Sequence, residues 1–117
     1  EKAFIIATTM AEDEPNKAKM TNVLAIENLV KISKSFRIKI IHISTDYVFN
    51  GNHFLPYNEL DTVSPIGVYG ETKREGELSV INSELDAIVI RTSWLYSSYG
   101  NNFVRLPLYL PCTQSQG

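Results

Sequence analysis

Three short apolar runs along the chain alternate with stretches of helical periodicity, and this alternation predicts the order of elements. Ala3 to Ala7 is continuous and apolar, as expected of a strand buried on both faces, although so short a run also fits a helix segment. The acidic turn Glu12-Asp13-Glu14-Pro15 follows, with carboxylates and a proline where a helix would start. Met20, Val23, Ile26 and Val30 then recur at spacings of three and four, which predicts an amphipathic helix to about Lys34. Phe36 to Ile43 is rich in isoleucine and reads as a second buried strand that runs directly into Ser44-Thr45-Asp46. From Asn50 to Gly67 turn-forming residues dominate, including Gly51, Asn52, Pro56, Asn58, Asp61, Ser64 and Pro65. Irregular connections of that length are usually functional. A helix is expected from about Val68 to Asn82, and Ala87 to Ile90, with Arg91 and Thr92, forms a third strand.

Strand, helix, strand, helix, strand is the order of an α/β fold whose parallel sheet is joined by right-handed crossovers. In open sheets of this kind ligands bind beyond the carboxyl ends of the strands. Thr45 and Asp46 after the second strand, and Thr92-Ser93-Trp94 after the third, would emerge at that edge. Residues 1–105 read as one unit, whereas residues 106–117, with Pro107 and Pro111 followed by a polar end, are expected to form a poorly ordered tail.

Composition narrows the function more than it defines it. At 117 residues, 44% of them hydrophobic and 21% charged, the chain is at most one soluble globular domain. The net charge is −2 and the eleven basic residues are scattered, so no stripe exists to neutralise a phosphate backbone and nucleic acid is not an expected partner. Cys112 is the sole cysteine, which excludes an internal disulfide, and with only His42 and His53 beside it no metal-ligand spacing occurs. His42 reads as a strand residue, His53 as a loop residue and Cys112 as a tail thiol. No apolar run approaches the roughly 20 residues that cross a bilayer, and no secretory pattern leads the chain, which together predict a cytoplasmic protein.

Tyr69 and Lys73, in Val68-Tyr69-Gly70-Glu71-Thr72-Lys73, stand one turn apart on one face of the expected helix. A tyrosine with a lysine four residues on also occurs on ordinary helix surfaces. Here, however, a hydroxyl residue, Thr45, stands at the expected end of a strand upstream. A fixed positive charge favours a phenolate and lowers the pKa of its phenol. Such a tyrosine can give a proton to a carbonyl oxygen as hydride reaches its carbon, or take one in reverse.

Three blocks carry a resemblance: Ser44-Thr45-Asp46-Tyr47-Val48-Phe49, Pro65-Ile66-Gly67-Val68-Tyr69-Gly70-Glu71-Thr72-Lys73 and Arg91-Thr92-Ser93-Trp94-Leu95-Tyr96, trailed by Gly100-Asn101-Asn102-Phe103. They resemble the extended short-chain dehydrogenase/reductases that act on nucleotide sugars, and among them the dTDP-4-dehydrorhamnose reductases. The resemblance implies part of an NAD(P)-binding Rossmann-like fold and reduction of a 4-keto dTDP-sugar by NADPH or NADH, the last step to dTDP-L-rhamnose. It implies that Tyr69 donates the proton to the C4 oxygen, that Lys73 lowers the tyrosine pKa and binds the nicotinamide ribose, and that Thr45 shares the hydrogen-bond network at the keto oxygen. Tyr69 and Lys73 would thus also contact the cofactor. Asp46 would accept from sugar hydroxyls, and Trp94 would lie against the sugar ring. Asn22 matches a family asparagine, but a polar helix residue is the simpler reading.

Other members of the superfamily remain alternatives. The dehydratases carry a glutamate base directly after the threonine-aspartate pair, where this chain has Tyr47, and a phenol without its own activating partner is too weak a base for water elimination. A non-catalytic subunit like the beta subunit of methionine adenosyltransferase also resembles these reductases. The family's Gly-rich turn after its first strand is not found: the six glycines, Gly51, Gly67, Gly70, Gly76, Gly100 and Gly117, lack its spacing. The N-terminal Gly-rich βαβ unit is therefore missing from this sheet, and Ile5-Ile6-Ala7-Thr8-Thr9-Met10 departs from the family's Ala-rich cofactor contact. A three-stranded remnant exposes a sheet edge and apolar faces. The isolated chain is accordingly expected to be marginally stable and inactive until a completing segment, or a second copy, covers it.

Overall fold

The structure, a computed structural model, describes residues 11–52 and 54–93. The expected strand from Ala3 to Ala7, His53, Trp94, the Gly100 to Phe103 block, Cys112 and the 106–117 tail lie outside the described residues.

Pro15 opens helix α1 (Pro15–Lys19), its fixed φ and missing N–H being harmless in a first turn. The helix continues through a π turn, Met20–Leu24, into α2, Ala25–Phe36. The wide turn changes which residues face inward. Ala18, Asn22, Ile26 and Val30 are buried at successive spacings of four, while Met20, expected on the inner face, is exposed. An α-helix drifts by about 40° over each such step, and one wider turn takes up part of that drift and holds the four in line. Helix α2 ends on Arg37, which adopts the left-handed conformation (φ 54°) and lets Ile38 N–H donate to the Ser33 carbonyl at 2.9 Å.

The second strand therefore begins later than the pattern of isoleucines suggests. Phe36 belongs to the last turn of α2, and β1 spans Ile40–Thr45. A short 3₁₀ turn, Asp46–Val48, and a long irregular segment lead to α3, Val68–Ile81, and then to β2, Ala87–Thr92. The two strands pair in parallel from Ile40 opposite Ala87 to Thr45 opposite Thr92, one βαβ unit with α3 in the crossover. Two of the three expected strands are thus present among the described residues.

Alternation along the strands gives the sheet two unlike faces. On one, Ile40, Ala87 and Val89 pack with Leu85 against Ile26, Val30 and Val80 of the helices. On the other, Ile41, Ile43, Ile88 and Ile90 remain exposed, in paired register. Among the described residues no helix is long and apolar enough to cross a membrane, and no His, Cys, Asp and Glu cluster could hold a metal ion.

Candidate active site

Most of the buried stripe of α3 is not hydrophobic. Gly70, Thr72, Lys73, Gly76 and Glu77 share it with Val80. Two glycines let this helix approach its neighbours closely. A Cβ on Gly70 would meet the Tyr47 carbonyl oxygen, and one on Gly76 would meet the Asn22 carbonyl oxygen of the π turn. The helix is then tied down by polar contacts. Asn22 Nδ2 donates to Thr72 Oγ1 at 3.1 Å in a buried bond, and Thr72 Oγ1 donates in turn to the Val68 carbonyl at 2.9 Å. At its N-terminus the Tyr69 N–H donates to Glu12 Oε1 at 3.1 Å, a carboxylate placed where the helix dipole favours it.

This packing gathers the expected residues at the carboxyl end of β1. Thr45 closes the strand, Asp46 opens the 3₁₀ turn, and Tyr69 and Lys73 face them from the first two turns of α3. Thr45 Oγ1 lies 3.2 Å from Asp46 Oδ1, to which it donates, and accepts the Tyr47 N–H at 3.2 Å, so the turn fixes the hydroxyl's direction. The half-buried Tyr69 ring meets Tyr47 edge-on, with centroids 5.8 Å apart at 73°. Lys73 is buried to 5% exposure and donates from Nζ to the Ile43 carbonyl at 2.7 Å. Thr92, at the corresponding end of β2, donates to the Ser44 carbonyl at 3.2 Å.

The electrostatics of the tyrosine differ from the expectation. Burial pushes the Tyr69 phenol up, the nearby Thr45 hydroxyl pulls it back, and Asp46 and Tyr47 add to the rise. The expected lowering by Lys73 does not govern it: burial is the larger influence, the ammonium donates to the Ile43 carbonyl, and Lys73 is itself lowered by burial, with Glu77 acting in the opposite sense. Tyr69 is consequently a neutral phenol at physiological pH, the form that donates a proton.

Beneath these residues lies a charged cluster that the sequence pattern did not disclose. Glu77, with no exposed surface, accepts from Arg91 Nε at 2.8 Å and Nη2 at 2.7 Å, and from Arg74 Nη1 at 2.8 Å. Burial alone would raise its carboxyl, but hydrogen bonds from Arg91 and Arg74, the nearby Ser44 hydroxyl and the Arg91 charge hold it at about 2. Ser44 acts on the carboxylate without reaching hydrogen-bond geometry, so its Oγ has no partner among the described residues. The Arg91 guanidinium also lies 5.0 Å from the centroid of Phe49, whose ring stacks on Tyr57 at 4.3 Å. One carboxylate thus links β2 and α3 to the segment that follows Thr45. An open cleft of about 740 Å³ borders this cluster, lined by Phe49, Tyr57, Asn58, Val89 and Arg91, and includes none of Thr45, Asp46, Tyr69 or Lys73.

The sequence and the fold are matched in known proteins. Residues 1–115 match the family model described as the RmlD substrate binding domain. The chain belongs to that family. Among relatives of this RmlD-family chain, the dTDP-4-dehydrorhamnose reductase of Sinorhizobium fredii is 41% identical over 97% of the chain and 38% of its own length. The Escherichia coli enzyme of the same name is 40% identical over 89% of the chain and 35% of its own length. A crystal structure of the Bacillus anthracis dTDP-4-dehydrorhamnose reductase in complex with NADP superposes with a TM-score of 0.80 at 39% identity, covering 85% of this chain and 36% of that one. The RmlD-family chain spans little more than a third of the length of these relatives. Their fold is shared over the described βαβ unit.

Proposed function

We propose that this chain carries the proton-transfer site of a reductase that converts dTDP-4-dehydrorhamnose to dTDP-L-rhamnose with NADPH or NADH. The observation that carries the reading is the convergence of Thr45, Asp46, Tyr69 and Lys73 at one edge of the sheet, in a chain about 40% identical to reductases of that name. Trp94 completes the proposed site as the wall against the sugar. Residues 1–105 would form the central to C-terminal part of the Rossmann-like dinucleotide-binding domain.

The described residues suit one half of a nicotinamide cofactor. An ammonium has three N–H donors, and among the described residues Lys73 uses one of them, on the Ile43 carbonyl. Two remain, one of them for a ribose hydroxyl. No described segment offers the Gly-rich turn that a pyrophosphate needs. When bound, the reduced nicotinamide supplies a hydride to the C4 carbon of the keto sugar.

The chain's own part is the proton. As the carbonyl oxygen gains charge, the neutral Tyr69 phenol gives up its proton to that oxygen, which becomes the product hydroxyl, and the phenolate is left to be reprotonated from solvent. Lys73, a fixed charge one turn away, stabilises the phenolate only once it exists, so its effect falls on the transition state rather than on the resting phenol. Thr45 shares the oxygen's hydrogen bonds, and the Asp46 carboxylate accepts from sugar hydroxyls. Replacing Tyr69 by phenylalanine in a full-length protein carrying this chain is expected to lower kcat at least about 100-fold with little change in KM, followed as NADPH consumption with the keto sugar nucleotide. Turnover at the wild-type rate in that variant would overturn the proposal.

A further inference from the structure

His42 is a charged-site neighbour with no assigned task. Its position on β1, opposite Val89, puts it on the helix-covered face with Ser44, and it is 2% exposed. Its Nε2 has no hydrogen-bond partner among the described residues. That nitrogen lies against the bare Cα of Gly76, 3.6 Å from where a Cβ would stand. Lys73, Gly76 and Glu77 follow one another along the same helical stripe. The imidazole therefore sits under α3 between an ammonium and a carboxylate, next in sequence to the carbonyl that accepts from Lys73.

The groups around it decide its state. From α3 it faces Lys73 and Glu77. From the π turn it faces the Asn22 carbonyl, and from β2 the apolar Val89 with Arg91 one step further, already paired with Glu77. Burial and the Lys73 charge push His42 down to about 4, against the pull of Glu77, and keep the ring neutral. With the ring proton on Nδ1, Nε2 of the neutral imidazole is an acceptor. Lys73 beside it has one donor to spare. Burying an acceptor without a partner is unfavourable by an amount comparable to a lost hydrogen bond, and an aliphatic side chain at this position would have avoided it.

We infer that His42 is a positioning residue for Lys73: its Nε2 accepts from the ammonium, directly or through one internal water, and with the Ile43 carbonyl holds the charge at the height of the Tyr69 oxygen. The inference rests on the proposed reductase reading for its catalytic consequence, but its geometry does not. The test uses the full-length protein and three variants. In His42→Gln the side-chain amide reaches the place of Nε2, in His42→Asn it reaches only that of Nδ1, and in His42→Leu both nitrogens are gone. In the wild type and His42→Gln, the Lys73 ammonium protons are expected to be slowed in exchange by NMR, and in His42→Asn and His42→Leu to exchange freely. Turnover is expected to follow, with kcat about tenfold lower in the asparagine and leucine variants, KM for the sugar nucleotide within about twofold of wild type, and His42→Gln close to wild type. Identical ammonium exchange in all four proteins overturns the inference, as does an equal loss in the glutamine and asparagine variants. If His42→Leu does not fold, the glutamine and asparagine pair decides. An inactive wild type with the expected exchange pattern speaks against the reductase reading alone.

Discussion

The two faces of the β1–β2 sheet are built on opposite rules. The face under α3 carries His42, Ser44 and Arg91 where aliphatic side chains would pack more simply, and it closes them in with a helix rich in glycine and charge. The other face is isoleucine at Ile41, Ile43, Ile88 and Ile90, and it is open among the described residues. Burial of apolar area drives folding, so a sheet that hides polar groups and exposes isoleucine is not arranged for its own stability. The polar face lies behind the proposed proton-transfer residues, which is where fixed charges would be useful.

The largest effect should come from opening the charged cluster. Glu77→Ala leaves Arg91 and Arg74 partly buried without their carboxylate, and is expected to destabilise a full-length protein by about 3–5 kcal/mol in urea unfolding. A loss under 1 kcal/mol would mean that the cluster is far more hydrated than its burial implies.

Acid should separate the faces next, because only one of them titrates. The unfolded chain protonates this imidazole near its ordinary value of 6.5, whereas the folded chain resists until about 4. Stability attributable to His42 is therefore complete above pH 6.5 and falls by about 3 kcal/mol as the pH drops to 4. Glu77, held at about 2 against an ordinary 4.5, adds a further loss below 4.5. Unfolding midpoints between pH 7 and 4 should show the first slope in the wild type and lose it in His42→Gln. Gly76→Ala comes third. Its Cβ would press on the Asn22 carbonyl and lift α3 off the π turn, a change expected to be worth about 1–3 kcal/mol.

Periodicity and the turn chemistry made the half of the fold that holds the candidate site legible. The helix expected from Val68 to Asn82 is α3 almost to the residue, β2 matches, and Thr45 lies at the end of a strand as anticipated. Strand β1 was placed too early because Ile38 continues the isoleucine pattern across a helix end that Arg37, rather than a glycine, makes in the left-handed conformation. Local pattern could not disclose Asn22, whose buried partner Thr72 is fifty residues away. Nor could it separate Glu77 from the many glutamates that follow a lysine by four on solvated helices. One signal was present and unused: in Ile41-His42-Ile43-Ser44 the polar residues share a face, which in a buried strand asks for an explanation. Lys73 was expected to lower the resting Tyr69, but burial of the phenol, which no residue pattern advertises, raises it instead.

The smallest effect is expected on the open face, and it tests the other half of the contrast. Ile41 and Ile88 are register partners at 63% and 57% exposure, so replacing both with threonine keeps β-branching while removing little buried apolar area. In urea unfolding of the 117-residue chain the pair should change stability by less than about 0.5 kcal/mol. Val80→Ala, from the core cluster at 1% exposure, should cost about 1–3 kcal/mol in the same chain. Equal losses from the two variants would show that the isoleucine face is covered after all, and the sheet would then have two buried faces rather than one. The same double variant made in a full-length protein turns the comparison into a footprint. A loss there of about 1 kcal/mol or more, absent from the shorter chain, would locate on Ile41 and Ile88 the apolar surface against which the rest of the protein packs.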